Sequence, residues 1–181
     1  MRRSTLDKII SSTGLVIACA LMALSMVLLW GHGFIHTQVE EQLSAQRITF
    51  PVAGSEQLNA LPANDKELVA KYAGESLTTG AQAKVFADNY IAVHLENVSS
   101  GQTYAELSAA SMANPSDEAL TGKVQTVFRG ETLRGLLLNA YAFDTMAIVA
   151  QYVAFGSAVT ALVLLILAVL GFKHAQTVKR K

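Results

Sequence analysis

Residues 9–30 read IISSTGLVIACALMALSMVLLW, and residues 152–172 read YVAFGSAVTALVLLILAVLGF. No Asp, Glu, Lys or Arg interrupts either stretch. A helix needs roughly 20 apolar residues, at about 1.5 Å each, to cross a hydrocarbon core about 30 Å thick. Both stretches meet that length, so they read as two membrane-spanning helices. Each lies in a longer uncharged run, Ile9 to Val39 and Thr145 to Phe172. Aromatic and basic residues set the register. Trp30 lies about 33 Å along a helix from Lys8, and Tyr152 about 31 Å from Lys173. The two aromatic anchors then share one level, opposite the basic ends, as in an aromatic belt.

The rest of the composition agrees. Of 181 residues, 51% are hydrophobic and 15% charged, with a mean hydropathy of +0.34. Soluble domains carry about a quarter charged residues, so the chain reads neither as an ordinary cytosolic protein nor as a disordered one. The net charge is zero, which gives no footprint for nucleic acid. A single cysteine, Cys19, excludes an intrachain disulfide and a Cys-based zinc site.

Charge distribution sets the threading. Segments 1–8 and 173–181 are basic, through Arg2, Arg3, Lys8, Lys173, Lys179, Arg180 and Lys181 against Asp7 alone. Segment 32–146 holds 7 Lys+Arg against 13 Asp+Glu. Basic flanks stay inside, so both termini are expected in the cytoplasm. The expected organisation is a cytoplasmic tail at 1–8, a first span at 9–30, an extracytoplasmic domain at 31–151, a second span at 152–172 and a tail at 173–181. The fold class is an all-α membrane protein, two transmembrane helices flanking a mostly helical domain. A cleaved signal peptide fits less well, because the first apolar run exceeds a usual h-region. Val16-Ile17-Ala18-Cys19 matches a lipoprotein cleavage pattern, but Ala20 to Trp30 stays apolar where a polar tether is expected. Cys19 therefore reads as a mid-membrane packing residue, with lipidation left open.

Beyond Trp30 the first helix is expected to continue through Phe34, Val39 and Leu43. Arg47-Ile48-Thr49-Phe50-Pro51-Val52 reads as extended, since β-branched residues precede a proline. Residues 53–64 read as loop, 65–73 as a short helix and Thr78-Thr79-Gly80 as a break. Phe86, Tyr90, Val93 and Asn97 share one helical face over 81–98, with Ile91, Leu95 and Val98 beside them. Ser99-Ser100-Gly101 ends that helix. Thr103 and Glu106 have capping-box spacing for a helix to about Met112. Asn114-Pro115 reads as the cap and first turn of the next helix, with Leu120, Val124, Val127 and Phe128 on one face. Gly130 and Gly135 weaken that helix and predict a bend.

Residues 135–150 are nearly all apolar yet precede the second span. They bury themselves in the extracytoplasmic bundle, lie in the interface or meet a partner. Arg129, Arg134, Leu136, Leu137, Tyr141 and Phe143 are the candidate partner or lipid contacts, and Asp144 reads either as a cap or as a contact. Gly14-x-x-x-Ala18 and Ala154-x-x-x-Ala158 permit close helix approach.

Three features form a set: Ile48-Thr49 after the first span, Gly101-Gln102-Thr103-Tyr104-Ala105-Glu106-Leu107, and Thr132-Leu133-Arg134-Gly135-Leu136-Leu137 before the second. The set resembles a group of small actinobacterial two-span membrane proteins of unknown function, some labelled aromatic ring-opening dioxygenases. In layout the resemblance covers most of the chain, and only the G-x-T-Y-A-x-L segment is motif-like. It implies a bacterial cytoplasmic-membrane protein and no particular activity.

The dioxygenase label requires two histidines and a carboxylate around iron. His32 and His36 have i, i+4 spacing and are weak candidate ligands. Glu40, about 12 Å along the helix from His32, is too far to complete the set. His94 lies on a mixed face. Phosphate-binding loops, dinucleotide fingerprints and nucleophile elbows are missing from the sequence, and the charge-free spans offer no ion path. No catalytic residue, cofactor or metal is therefore assigned. The expected function is a non-catalytic accessory or structural subunit of a larger cytoplasmic-membrane complex, respiratory or envelope. Its partners would be the lipid bilayer and other integral membrane proteins, with no nucleic acid. The alternative is a stand-alone extracytoplasmic ligand-binding or sensing module, although the short C-terminal tail leaves no room for an output domain. A metal-dependent enzyme ranks last.

Overall fold

A computed structural model describes residues 3–179. The tail cations Arg2, Arg180 and Lys181 lie outside the described residues. The elements are α1 (Arg3–Ala45), α2 (Glu56–Asn59), α3 (Ala63–Ala70), α4 (Gly80–Val85), a π-helical turn (Phe86–Ile91), α5 (Ala92–Ser99), α6 (Tyr104–Ala113) and α7 (Glu118–Lys179). Among the described residues no strand forms. The chain divides into two units, one of Met1–Ile35 with Met146–Lys181 and one of His36–Thr145. The long helices α1 and α7 each contribute a segment to both.

In the first unit α1 and α7 pair antiparallel. Asp7 meets His174 at one end, with Oδ2 to Nδ1 at 3.1 Å, and His32 meets the Ala147 carbonyl at the other, at 2.9 Å. Their contact seam is made of small residues. Ser11, Ala18 and Ser25 are buried on α1, and Ala147, Ala154, Ala161, Ala168 and Ala175 on α7. All are spaced by seven. A strict seven-residue repeat keeps one seam in register only if the helices supercoil left-handedly. Small side chains let the backbones approach closely: a Cβ built on Gly171 would lie 2.2 Å from the Ser11 hydroxyl. The packing period is therefore seven, rather than the four suggested by Gly14-x-x-x-Ala18. Ala18 takes the seam, and Cys19, expected to pack, is exposed.

Away from the seam the apolar surface is open. Val16, Trp30, Tyr152, Val159 and Leu167 are exposed. Only 11% and 17% of the most apolar stretches of α1 and α7 are buried, and both helices are long and apolar enough to cross a membrane. A core helix of a soluble protein would bury most of such a stretch.

The second unit has a core of its own. Val39 and Leu43 of α1, Phe50, Leu58, Val69, Leu77, Ile91, Leu95, Leu107, Val127 and Leu137 are buried. Phe50 is central: it packs at 5.3 Å from the Tyr72 ring and edge-on at 5.2 Å to Phe86, which in turn lies tilted at 4.9 Å from Tyr90. The expected extended piece is present. Phe50 N–H donates to the Glu75 carbonyl and Leu77 N–H to that of Ile48, both at 2.9 Å, around an isolated bridge of Thr49 and Ser76.

Several local readings change. The 53–64 loop contains a single helical turn, α2, because the Ser55 hydroxyl caps Leu58 N–H while the Leu58 side chain enters the core. The next helix begins at Ala63, directly after Pro62, and ends at Ala70. The helix expected over 81–98 spans Gly80–Ser99 but widens into the π-turn at its centre. It ends where Ser100 takes a left-handed conformation, φ 58. The Thr103–Glu106 capping box forms as its spacing predicts. Asn114 instead closes α6, and α7 starts four residues later at Glu118, where the preceding Asp117 carboxylate accepts from Leu120 N–H at 2.9 Å. A carboxylate at that position also complements the positive helix end. Helix α7 continues unbroken past Gly130 and Gly135. Gly130 makes room instead: a Cβ there would meet the Leu95 side chain at 2.3 Å.

Candidate functional site

Within the second unit, Asp144 is the most enclosed acid, only 5% exposed. One carboxylate oxygen accepts from Gly80 N–H at 3.2 Å, the other from His36 Nδ1 at 2.9 Å. A carboxylate has no proton to give, so Nδ1 of His36 carries one. Gly80 opens α4, so Asp144 caps that helix from 64 residues away and also pairs with α1. Both readings of Asp144, cap and contact, hold together. The approach is close enough to require glycine. A Cβ on Gly80 would sit 2.5 Å from Asp144 Cβ. Thr79 and Gln82 add a capping box at the same helix end. The Gln82 amide oxygen also accepts from Thr78 and Thr79 N–H at 2.8 and 3.1 Å.

A second polar cluster faces the π-turn. Arg134 donates to Asp88 at 3.3 Å and to Glu131 at 3.4 Å, and Lys84 donates to Asp88 at 2.7 Å. Partial burial opposes the Asp88 charge, but the hydrogen bonds from Lys84 and Arg134 outweigh it and hold the carboxyl below its ordinary range. The bond to Asp88 raises Lys84 above its ordinary value. Lys84 also lies 5.2 Å over the Tyr141 ring, a cation–π distance. Arg134 and Tyr141 are thus engaged within the unit, and Leu137 is fully buried.

The remaining sequence candidates stay outside. Arg129 is exposed, Leu136 is 57% exposed and Phe143 52%. They are spaced by seven and so share one face of α7. Phe128 and Asn139 are exposed beside them. Of the six residues nominated from sequence, three form this face and three support the interior.

The histidines separate. In the first unit His32 donates through Nδ1 to the Ala147 carbonyl. In the second, His36 is held by Asp144. Among the described residues no group of three or more His, Cys, Asp or Glu side chains is placed to hold a metal ion. His94 is exposed and lines a cleft of about 330 Å³ with Glu56, Gln57, Tyr90 and Asn97. The sequence places Tyr90, Val93 and Asn97 on one apolar helical face, without signalling a cleft. The cleft forms because α2 covers only part of that face, and α2 had no signal beyond Ser55 as a cap. Lys84 and Asp88 have i, i+4 spacing. Their link to Arg134 spans 46 residues and has no local signature.

Comparison with protein-family models, with curated proteins and with solved structures returned no match for this chain.

Proposed function

We propose that this protein is a non-catalytic accessory subunit of a membrane complex, anchored by α1 and α7 as spans. The second unit lies on the extracytoplasmic side and the basic tails in the cytoplasm. One observation carries the reading. Leu136 and Phe143 remain more than half exposed on one face of α7, although the unit around them has a complete apolar core. Large apolar side chains aligned on one helix face, with Arg129 at the same spacing, suit a docking surface with a polar edge. The proposed partners are integral membrane proteins that present an apolar helix face near the bilayer surface.

The test is purification of the tagged full chain from its native membrane in mild detergent, with quantitative mass spectrometry. Stoichiometric partners are expected, and they should be lost with Leu136→Asp/Phe143→Asp. Met112→Asp, at an exposed site on α6, should keep them. A monomer or homodimer carrying no partner refutes the subunit reading.

A second reading, a ligand-binding or sensing module, is favoured by the cleft of Glu56, Gln57, Tyr90, His94 and Asn97. Its mixed polar and aromatic lining suits a small polar molecule. A compound that raises the thermal midpoint of the full chain, with the rise abolished by Tyr90→Ala, would support this reading over the first.

A further inference from the structure

A second cleft, of about 270 Å³, lies wholly within the second unit between α5, the start of α6 and α7. Positions 92, 95, 96 and 99 of α5 face it, whereas 90, 93, 94 and 97 face the cleft of His94. At 3.6 residues per turn these two sets fall on opposite sides of the helix. Buried Leu95 and Val127 form the floor. Gly130 lets α5 close onto α7 at that floor. Ser100 and Gly101, both at positive φ, then carry the chain away before α6 begins and leave the cleft open above.

Three charged side chains line it: Glu96 on α5, and Glu131 and Arg134 on α7. Among the described residues Glu96 enters no ion pair. Arg134, 33% exposed, is weakly held. Its contacts to Asp88 and Glu131 are 3.3 and 3.4 Å long, whereas a well-made charge-assisted bond is about 2.7–2.9 Å. Its Nε is buried and makes no hydrogen bond, alone among the buried side-chain nitrogen and oxygen atoms of the described residues. A guanidinium favours a paired grip on one carboxylate. A carboxylate in the cleft would let Arg134 turn from its two long contacts and engage Nε together with a terminal nitrogen.

The charges around Arg134 narrow the ligand. A simple anion would face Glu96 and Glu131 with like charge. A simple cation would leave Arg134 unmatched. A molecule carrying both charges on neighbouring atoms meets all three side chains. The rise between Glu131 and Arg134, about 4.5 Å, suits that short separation. Gln102 and Tyr104, both exposed, line the rest of the cleft and leave room for a side chain. The volume falls below the roughly 300–1,000 Å³ of pockets for drug-sized ligands, as a small metabolite requires.

We propose that this cleft binds a free α-amino acid, its ammonium group between Glu96 and Glu131 and its carboxylate on Arg134. The cleft shares no residue with the proposed docking face of Arg129, Leu136 and Phe143, so the failure of either leaves the other standing. The full chain in detergent is titrated calorimetrically with each common free L-amino acid at millimolar concentration. At least one should bind. Its N-acetyl derivative lacks the ammonium charge and its amide lacks the carboxylate, and each should bind about tenfold more weakly. Glu96→Gln, at an exposed position without an ion pair, should weaken the parent by a similar factor and shrink its advantage over the N-acetyl derivative. A purely structural role for Glu96 would weaken both alike and would count against the assignment. Arg134→Gln should shrink the advantage of the parent over the amide in the same way. Ala92→Phe, which fills the cleft from α5, should abolish binding. The proposal is overturned if no free amino acid binds, or if both derivatives bind as tightly as the parent. It is also overturned if binding survives Ala92→Phe and is lost in His94→Ala, which would put the ligand in the other cleft.

Discussion

Without the Asp144 carboxylate, the Gly80 amide and the His36 ring would both face a side chain that cannot accept a hydrogen bond. Leaving a buried donor unmatched costs about 1–3 kcal/mol. Asp144→Ala should therefore lower the thermal midpoint of the full chain in detergent, and Asp144→Asn should lower it less, since an amide oxygen still caps Gly80. Gly80→Ala attacks the same junction sterically and should cost about 1–3 kcal/mol through overpacking. Equal midpoints for Gly80→Ala and the unaltered chain would show that α4 can move off α7 without penalty. Asp88 adds a pH dependence whose sign is set by its lowered pKa. Its contribution is complete above the unfolded value of 3.8 and is lost as pH falls through the lower folded value. Glu106, lowered mainly by its backbone and side-chain hydrogen bonds to Thr103, acts in the same direction. Asp88→Asn should flatten the acid limb of a stability–pH curve. An unchanged limb would place the acid sensitivity elsewhere.

At the scale of elements, what the sequence disclosed depended on how local each signal was. The Thr103–Glu106 box, the stop at Ser99-Ser100-Gly101 and the extended run before Pro51 each use residues within a few positions, and each formed as read. The π-turn was not legible, since nothing in Phe86–Ile91 marks the one-residue change in hydrogen-bond spacing. The Gly80–Asp144 cap was hidden by 64 residues of separation. The seven-residue seam was present in the letters yet was missed for a different reason. Serines fall both on the seam, Ser11 and Ser25, and outside it, Ser12, so polarity does not mark the inner face; only side-chain size does. Size is also what a substitution can probe. Ala161→Leu should force α1 and α7 apart and cost about 1–3 kcal/mol, whereas Val163→Leu, on the exposed side, should be nearly neutral. Similar loss from both, measured by unfolding in detergent, would count against the seam as the packing determinant.

For the whole molecule, the length and apolarity of α1 and α7 were legible from composition alone, while the proposed docking face was only partly so. Leu136 and Leu137 are adjacent and chemically identical, yet one is open and the other fully enclosed. Local periodicity alone could not assign them, because burial on α7 is set by elements distant in sequence. Topology is the prediction that belongs at this scale. With Cys19 replaced by Ala, a cysteine at position 112 should react with an impermeant maleimide in intact cells, and one at position 177 only after lysis. The reverse pattern would invert the proposed orientation.

A ladder of near-identical alanines has a further consequence. Its rungs recur every seven residues, so sliding one helix past the other by one repeat, about 10.5 Å, would restore almost the same small-residue contacts. Packing on such a ladder is nearly degenerate in translation and cannot choose an alignment. The choice falls to the unique contacts: Gly171 on Ser11, Asp7 with His174 and His32 with the Ala147 carbonyl in the first unit, and His36 with Asp144 in the second. They act as stops on an otherwise repetitive rail. A slip of one rung would break all of them at once, so the alignment of α1 on α7 is an all-or-none property of these few contacts.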